Sequence, residues 1–364
     1  MKAKDFCEKA SFEYAEYPET VWLSIKRAPF RIYGLYRPLD GERFVRMPED
    51  VARKTSDGVF DLNLNTAGGR FTFCTDSPYI AIHPVMPSYY VMRHMARSGN
   101  AGFDLYTDDG KMQKFAGAFL PPARTIDDYF TSVDSRTNFC ETKNYVVNFP
   151  LYDKVNEVFI GVDPNAEILP FDSAYTNDAP IVFYGSSITQ GGCVCRPGLA
   201  YEGYISRRFR RDFINLGFSG NGKAEDAIVD YMAGLDMSIF VSDYDHNAPN
   251  PAYLEATHYK MYEKIRAAHP DMPYIMVSCP DSDRKPADAD ARRDVIKSSY
   301  ERARKNGDQN VYFIDGHTLF GYECRDACTV DGTHPNDLGH YRMGCVIGDV
   351  ISEILNKNKN SARF

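Results

Sequence analysis

Strand-like and helix-like segments alternate over the second half of the chain, from about residue 178 onward. Each short apolar run of strand length is followed by a longer segment with the apolar period of a helix. This alternation predicts a parallel sheet covered by helices on both faces. We expect the strands at 181–185, 213–217, 237–242, 274–279 and 311–315, and the helices around 200–211, 224–233, 251–268, 289–305 and 337–355.

The first half of the chain has a different pattern, because its apolar runs are short and are broken by turn residues. These runs lie at 30–36, 71–75, 79–85, 144–149 and 155–162. Repeated short strands between turns indicate an antiparallel sandwich or jelly roll. A turn-rich stretch around 163–180 is predicted to be the linker. Since 364 residues are many for one core, we expect two domains, 1–178 and 179–364.

Residues suited to acyl transfer stand at both ends of the second half. Ser187 directly follows the first predicted strand and a glycine, which places it at the carboxyl edge of the sheet, where open α/β folds build their sites. Near the C-terminus, Asp331 and His334 are three residues apart, and Pro335 prevents a helix from starting before the histidine. We therefore predict Ser187 as nucleophile, His334 as general base and Asp331 as the group that orients the base.

Donors for an oxyanion are also available. The candidates are the backbone N–H of Ser187, the backbone N–H of Gly220 and the side-chain amide of Asn247. A glycine suits this role because a residue without Cβ lets the backbone approach a substrate closely. Taken singly, each residue has an ordinary structural explanation, as a helix cap or a turn residue. Their order and their positions after strands favour a hydrolase site.

Serine, glycine, asparagine and histidine, in that order, are the signature residues of the SGNH (GDSL-type) hydrolases, which this sequence resembles. Ser187, Gly220 and Asn247 match the first three family blocks, and the Asp331–His334 pair matches the last. Two departures stand out. Ser186 replaces the usual aspartate before the nucleophile, and residues 243–249 replace the usual Gly-x-Asn-Asp block.

The segment 102–106 reads Gly-Phe-Asp-Leu-Tyr and is similar to the Gly-x-Asp-Leu-Tyr motif of a two-domain branch of that family. The resemblance implies a flavodoxin-like, three-layer α/β/α domain with a five-stranded parallel sheet, preceded by an antiparallel, jelly-roll-like β-sandwich. It also implies a serine esterase without metal or cofactor. Relatives in this branch include acetyl esterases acting on carbohydrates and some acyltransferases. We therefore expect hydrolysis of short O-acyl esters, above all O-acetyl esters, of a carbohydrate, with acyl transfer to another acceptor as the alternative.

Three further residues are candidate substrate contacts: Arg196, Asp245 and His246. Arg196 follows the nucleophile within 195–198, and a solvated surface arginine explains it equally well. His246 precedes Asn247 and is a second candidate base. We favour a site-wall or core histidine, since its own motif gives it no Asp-x-x-His carboxylate. Asp245 either lines the pocket or caps the next helix.

Two other classes of protein compete with the hydrolase. Residues 217–223 fit Gly-x4-Gly-Lys, most of a phosphate-binding loop, but Ala224 stands where Ser or Thr should hold Mg²⁺. A non-catalytic carbohydrate-binding protein is compatible with the β-domain, with 13% aromatic residues and with Tyr89-Tyr90 in a loop-like stretch. Neither alternative needs the serine, histidine and aspartate set.

Composition limits the partners and the compartment. A net charge of −8 without a basic stripe argues against nucleic acid, and no stretch approaches the roughly 20 apolar residues that span a bilayer. The N-terminal residues contain no apolar secretory segment, which favours the cytoplasm. Nine cysteines without a regular framework or zinc spacing indicate reduced thiols. The expected partner is a small-molecule or oligosaccharide ester, and the oligomeric state stays open.

Overall fold

The computed structural model describes residues 1–87, 91–122, 129–134, 142–280, 283 and 285–361. Tyr89-Tyr90 therefore lies outside the described residues. The chain forms two compact units. The N-terminal unit contains Met1–Met47, Asn63–Thr176 and Cys195–Gly198, and the C-terminal unit contains Pro48–Leu62, Asn177–Val194 and Leu199–Phe364. The sequence predicts one boundary at residue 178. Two segments depart from it, because residues 48–62 belong to the C-terminal unit and residues 195–198 to the N-terminal unit.

One of these segments is helical. Residues 48–62 form α1 (Glu49–Thr55) and nearly all of α2 (Asp57–Asn63), and α1 packs on a later helix of the C-terminal unit. The other segment, Cys195–Gly198, is hydrogen bonded to residues of the N-terminal unit. Neither assignment is visible in the sequence, because both depend on packing between residues far apart in the chain.

The N-terminal unit is built from two antiparallel sheets and the short helix α3 (Arg97–Asn100). In one sheet the strand order is β1-β9-β4-β7, and in the other it is β10-β3-β8-β5-β6, with β2 paired to β3. The strands are β1 (Val21–Ser24), β2 (Arg31–Tyr33), β3 (Arg70–Thr75), β4 (Tyr79–Val85), β5 (Phe103–Asp108), β6 (Gln113–Phe119), β7 (Thr131–Asp134), β8 (Lys143–Asn148), β9 (Glu157–Val162) and β10 (Ile168–Leu169).

Alternate side chains of these strands form the core of the N-terminal unit. Phe71 and Phe73 of β3 and Phe103 of β5 are fully buried in one cluster with Ile80 and Ile82 of β4. Successive strand residues point to opposite faces of a sheet, so this spacing of two directs one face of each sheet into a common core. The predicted antiparallel sandwich is confirmed.

The predicted linker is partly structured. Ile168–Leu169 forms β10 and pairs with β3, and Phe171 and Tyr175 are buried. The stretch is therefore not a free linker, because its apolar residues pack within the N-terminal unit.

The C-terminal unit contains a five-stranded parallel sheet with the order β12-β11-β13-β14-β15. This order, second-first-third-fourth-fifth along the chain, is that of flavodoxin-like folds. The predicted three-layer α/β fold is confirmed. The strands are β11 (Ile181–Gly185), β12 (Phe213–Gly217), β13 (Ile239–Asp243), β14 (Tyr274–Val277) and β15 (Val311–Ile314), and the helices are α4 (Ser187–Gln190), α5 (Tyr201–Phe209), α6 (Asp226–Ala233), α7 (Pro251–Ala268), α8 (Pro286–Lys305) and α9 (Asp337–Ser361).

Helices cover both faces of the parallel sheet, which explains why its strands read as continuous apolar runs. Phe183 and Val241 belong to a buried cluster with Ile205 of α5 and Ile347 of α9. On the other face, Tyr274 contacts Tyr262 of α7, with ring centroids 5.4 Å apart. Strands buried on both faces lose the polar alternation of a half-exposed strand. Within the described ranges, no helix combines the length and the apolar character needed to cross a membrane.

Candidate active site

The candidate nucleophile Ser187 is the first residue of α4, directly beyond the carboxyl end of β11. Ser186 caps this short helix, because its Oγ accepts a hydrogen bond from the Ile188 N–H at 3.1 Å. The helix ends at Gly191 in the left-handed region, with φ of 103°. Ser187 is therefore held in a tight strand-to-helix turn, and it remains partly exposed.

Two glycines allow α4 to pack directly against the end of the sheet. A Cβ at Gly185 would collide with the Thr189 side chain and the Asp243 carbonyl. A Cβ at Gly217 would collide with the backbone of Gln190. Any larger residue at either position would push the helix away from the strands, so these glycines fix the location of Ser187.

Ser187, His334 and Asp331 form a continuous hydrogen-bonded chain. Ser187 Oγ lies 2.9 Å from His334 Nε2, and His334 Nδ1 lies 2.8 Å from Asp331 Oδ2. An ionised carboxylate can only accept, so the ring proton belongs on Nδ1 and Nε2 is left to accept from the serine hydroxyl. Sequence reasoning proposed these three residues, and the structure brings them together across 147 positions of chain.

The loop that carries His334 holds Asp331 in its charged form. Partial burial raises the pKa of the carboxyl group, but the backbone N–H of His334, the imidazole and the backbone N–H of Thr333 outweigh it and lower the pKa to about 2. The two backbone hydrogen bonds measure 2.8 Å and 3.0 Å. Asp331 therefore remains a charged acceptor that fixes the imidazole.

The other two candidate oxyanion donors belong to Gly220 and Asn247. The carbonyl of Phe218 holds both the Asn247 side chain and the turn that contains Gly220. This oxygen accepts from Asn247 Nδ2 at 2.8 Å and from the backbone N–H groups of Asn221 and Gly222. Gly220 lies at the tip of this turn with φ of 69° and is exposed. Among the described residues, its N–H has no hydrogen-bond acceptor. The turn is also tied to α4, because Gln190 Oε1 accepts from the Ser219 N–H at 3.0 Å.

Asp245 is not placed as a substrate contact. The residue is fully buried, and its Oδ2 accepts from the backbone N–H of Cys279 at 2.9 Å. Burial raises the pKa of this carboxyl group. Asp245 thus fastens the turn after β13 to the chain beyond β14, and it caps no α-helix, since Asn250 caps α7.

His246 lines a cavity of about 180 Å³ in the C-terminal unit, together with Thr333 and Arg292. Thr333 directly precedes His334 and His246 directly precedes Asn247. The cavity wall therefore includes the chain neighbours of the candidate base and of the candidate oxyanion amide. His246 is thus part of a cavity wall, and its role in the site remains a prediction.

Arg196 makes its contacts within the N-terminal unit. Its guanidinium donates to the fully buried Asp104 at 3.1 Å and to the Tyr106 hydroxyl at 2.8 Å, and it lies 3.7 Å from the centroid of the Phe115 ring. Asp104 Oδ2 also accepts from the Gly198 N–H at 3.0 Å. These contacts account for Arg196 without a substrate, and they give the aspartate and tyrosine of the Gly-x-Asp-Leu-Tyr segment a structural role.

A buried acidic network beneath α4 was not anticipated. Asp243 ends β13 and accepts from the Tyr201 hydroxyl at 3.5 Å, while Asn215 Nδ2 donates to Glu202 at 3.3 Å. Burial, reinforced by the charge of Asp245, raises the pKa of Asp243 to about 8. Burial also raises the pKa of Glu202 well above its usual range. The only sign of this network in the sequence is Glu202, an acidic residue on the buried side of α5. Its burial can be recognised only when the position of α5 on the sheet is known.

The loop 217–223 does not form a phosphate-binding loop. In such a loop the lysine opens the following helix. Here α6 begins at Asp226, and Ala224 instead donates its N–H to the Tyr184 hydroxyl at 2.7 Å. Gly220 and Gly222 instead belong to a turn in which the Gly222 N–H donates to the carbonyl of Phe218.

Comparisons with known proteins agree with this arrangement. Residues 178–352 match the GDSL-like lipase/acylhydrolase family, and residues 20–168 match the N-terminal domain of SGNH hydrolase-type esterases that is named after the Gly-x-Asp-Leu-Tyr motif. The crystal structure of a candidate GDSL-like lipase from Bacteroides ovatus ATCC 8483 is 31% identical, with a TM-score of 0.83, and the match covers 93% of this chain and 98% of that one. The chain therefore belongs to the GDSL-like lipase/acylhydrolase family, and these matches support a hydrolase.

More distant structures share the fold. The salicylyl-acyltransferase SsfX3 of a tetracycline biosynthetic pathway has a TM-score of 0.71 at 19% identity, over 90% of this chain and 95% of that one. A family two carbohydrate esterase from Clostridium thermocellum, solved with cellohexaose, has a TM-score of 0.57 at 12% identity, over 80% of this chain and 94% of that one. No curated protein has significant sequence similarity to the chain.

Proposed function

We propose that the protein is a serine esterase that hydrolyses short O-acyl esters, above all O-acetyl esters, of a carbohydrate through an acyl-enzyme. The observation that carries this proposal is the hydrogen-bonded chain from Ser187 Oγ through the His334 imidazole to Asp331. A serine hydroxyl is a weak nucleophile alone and needs an adjacent base that is itself oriented by a third group.

In the proposed mechanism, Ser187 Oγ attacks the ester carbonyl carbon while its proton passes to His334 Nε2. The carbonyl π electrons move to oxygen, and the oxyanion is stabilised by the N–H groups of Ser187 and Gly220 and by the Asn247 amide. Collapse breaks the bond to the alcohol oxygen, which takes the proton from His334 and leaves. A water molecule then attacks the acyl-enzyme while His334 takes one of its protons. Collapse breaks the bond to Ser187 Oγ, which takes that proton from His334, and the acid is released.

Two observations support a sugar as the alcohol part of the ester, and the short acyl group remains what the family resemblance implies. The cavity beside Thr333 is lined mainly by polar or charged side chains, which suits a hydroxyl-rich group better than a long alkyl chain. The fold is shared with carbohydrate esterases, among them the Clostridium thermocellum enzyme solved with cellohexaose. Both observations concern the substrate class and leave the position of the acyl group open.

The test is release of acetate from a panel of acetylated monosaccharides and oligosaccharides, with the Ser187→Ala protein as control. We expect acetate only with the unchanged protein, and no effect of EDTA, because the mechanism uses no metal. With p-nitrophenyl esters, activity should be highest for acetate and fall toward octanoate. A maximum at octanoate, or acetate release by Ser187→Ala, would contradict the proposal.

Acyl transfer is the second candidate, favoured by the similarity in fold to SsfX3. The same acyl-enzyme serves both outcomes, since only the group that attacks it differs. An assay with an added unacylated sugar as acceptor separates the two activities. Transfer produces acylated sugar, whereas hydrolysis produces free acetate.

A further inference from the structure

The cavity beside the candidate triad contains positively charged side chains. Among the residues that the structure describes, Lys285, Arg292 and Asp288 are the lysine, arginine and aspartate of its lining. The described lining therefore includes two cationic side chains and one carboxylate. Its volume of about 180 Å³ far exceeds the roughly 10–15 Å³ that one water molecule needs, so a group of several atoms can enter.

The two cations are not equivalent. Arg292 is buried, and its guanidinium already makes hydrogen bonds within the protein. Its Nε donates to Asp288 at 2.8 Å, and its Nη1 donates to the carbonyls of Asp245 and Ala248. Lys285 is exposed, and within the described part of the chain its ammonium group has no carboxylate or hydrogen-bond partner. Of the two described cations, Lys285 is thus the one that remains available to a ligand.

The position of the cavity indicates which part of a substrate enters it. In the proposed mechanism, His334 delivers its proton to the oxygen of the departing alcohol, so that alcohol lies beside His334. Thr333, the residue before His334, forms part of the cavity wall. We therefore place the alcohol, rather than the acyl group, beside Lys285.

We infer that this cavity binds a carboxylate on the sugar that carries the ester, so that the substrates are O-acylated acidic sugars such as uronic acids. The inference rests on the proposed function for the identity of the alcohol. An ammonium group and a carboxylate form a charge-assisted hydrogen bond, which is stronger than one between neutral partners. At an exposed position this gain is modest, and salt reduces it.

Binding to the full-length Ser187→Ala protein tests the subsite without catalysis. Methyl glucuronoside and methyl glucoside are the probes, because they differ only in a carboxylate against a hydroxymethyl group. We expect the glucuronoside to bind about threefold to tenfold more tightly at low salt. The preference should disappear in the Ser187→Ala, Lys285→Gln double variant. Equal affinities, or a preference that survives Lys285→Gln, would overturn the inference, as would tighter binding of methyl glucoside 6-phosphate.

Kinetics with the acetyl esters of the same two sugars complete the test. Lys285→Gln should lower kcat/KM for the glucuronoside ester several-fold more than for the glucoside ester. Lys305→Gln, at the other end of α8 and also exposed, is the matched control and should leave both values unchanged. A binding preference without acetate release would refute the proposed function and leave the subsite standing. Acetate release without any preference would refute the subsite alone.

Discussion

The side-chain amide of Asn247 donates a hydrogen bond to the carbonyl of Phe218 at 2.8 Å. This bond joins two of the segments that carry the candidate oxyanion donors, since Phe218 also closes the turn at Gly220. The amide has two N–H groups, so one orients the side chain and the other remains to meet an oxyanion.

We expect Asn247→Ala to lower kcat about 100- to 1000-fold, because one oxyanion donor is lost. KM should change little, since the donor acts mainly on charge that develops in the transition state. Asn247→Asp is the matched variant of the same shape, and it should be no better than alanine because it replaces a donor with a charged acceptor. A tenfold or larger rise in KM with unchanged kcat would contradict this role.

Ser187→Ala and His334→Ala should each reduce kcat at least 1000-fold while the protein stays folded. Ser187 is partly exposed, so its truncation removes little packing. Ser298→Ala, at an exposed position of α8, should leave kcat unchanged.

A fluorophosphonate should label Ser187, as mass spectrometry of the digested protein can check. Labelling of another serine would contradict the assignment.

Asp331→Asn should cost less than Ser187→Ala but still more than tenfold in kcat. The amide can keep the hydrogen bonds that Asp331 Oδ1 accepts from the backbone of Thr333 and His334. It lacks the charge that stabilises the imidazolium formed during the reaction. Steady-state kinetics of the three single variants tests this order, and a loss as large as that of Ser187→Ala would argue against it.

Arg292 is predicted to be a positioning residue for Asn247. Its guanidinium donates to the carbonyls of Asp245 and Ala248, which flank the turn containing Asn247. Arg292→Lys loses the forked geometry, and we expect kcat to fall about tenfold. The neighbouring Arg293→Lys is the control and should stay within about twofold.

A structural effect of Arg292 alone would lower kcat equally in every background. The positioning role predicts instead that Arg292→Lys has little further effect on kcat in the Asn247→Ala protein, because the group it positions is gone. Additive losses in the double variant would therefore contradict this role.

Asp243 should make stability depend on pH. Its pKa is raised from 3.8 to about 8 by burial, so the folded protein keeps a proton that the unfolded chain has lost. The free energy of unfolding should therefore fall as pH rises from about 4 to about 8, by on the order of 1 kcal/mol per pH unit from this group. Asp243→Asn removes the titration and keeps the shape. Urea denaturation of both proteins across this range should show the variant gaining relative to the wild type as pH rises. Parallel curves would contradict the prediction.

The parallel sheet was predictable because burial on both faces demands uninterrupted apolar residues. The predicted strands 181–185 and 213–217 coincide with β11 and β12. By contrast, β6 (Gln113–Phe119) was missed, because it opens with two polar residues and its sequence lacks a regular apolar and polar alternation. The helices α1 and α2 were missed as well, since seven-residue helices contain too few turns to establish a period.

The candidate triad was predictable in part from local spacing. Asp331 and His334 are three residues apart and form their hydrogen bond within one loop, whereas the contact of His334 with Ser187 depends on the strand order. The contacts of Arg292 could not be predicted from the sequence, because its acceptors are backbone carbonyls, which every residue has. Arg196 was ambiguous for a related reason, since its partner Asp104 lies 92 positions earlier in the chain.

Each compact unit contains a short length of chain from the other half of the sequence, and this limits how the protein can be divided. A fragment ending at residue 178 would keep the fully buried Asp104 but lose Arg196, leaving a carboxylate in the interior without its cation. Removing one partner of a buried ion pair is costly. Chimeras that join halves of two relatives at this boundary therefore need a matched pair at positions 104 and 196. The two halves are expected to be inherited, and to be engineered, together.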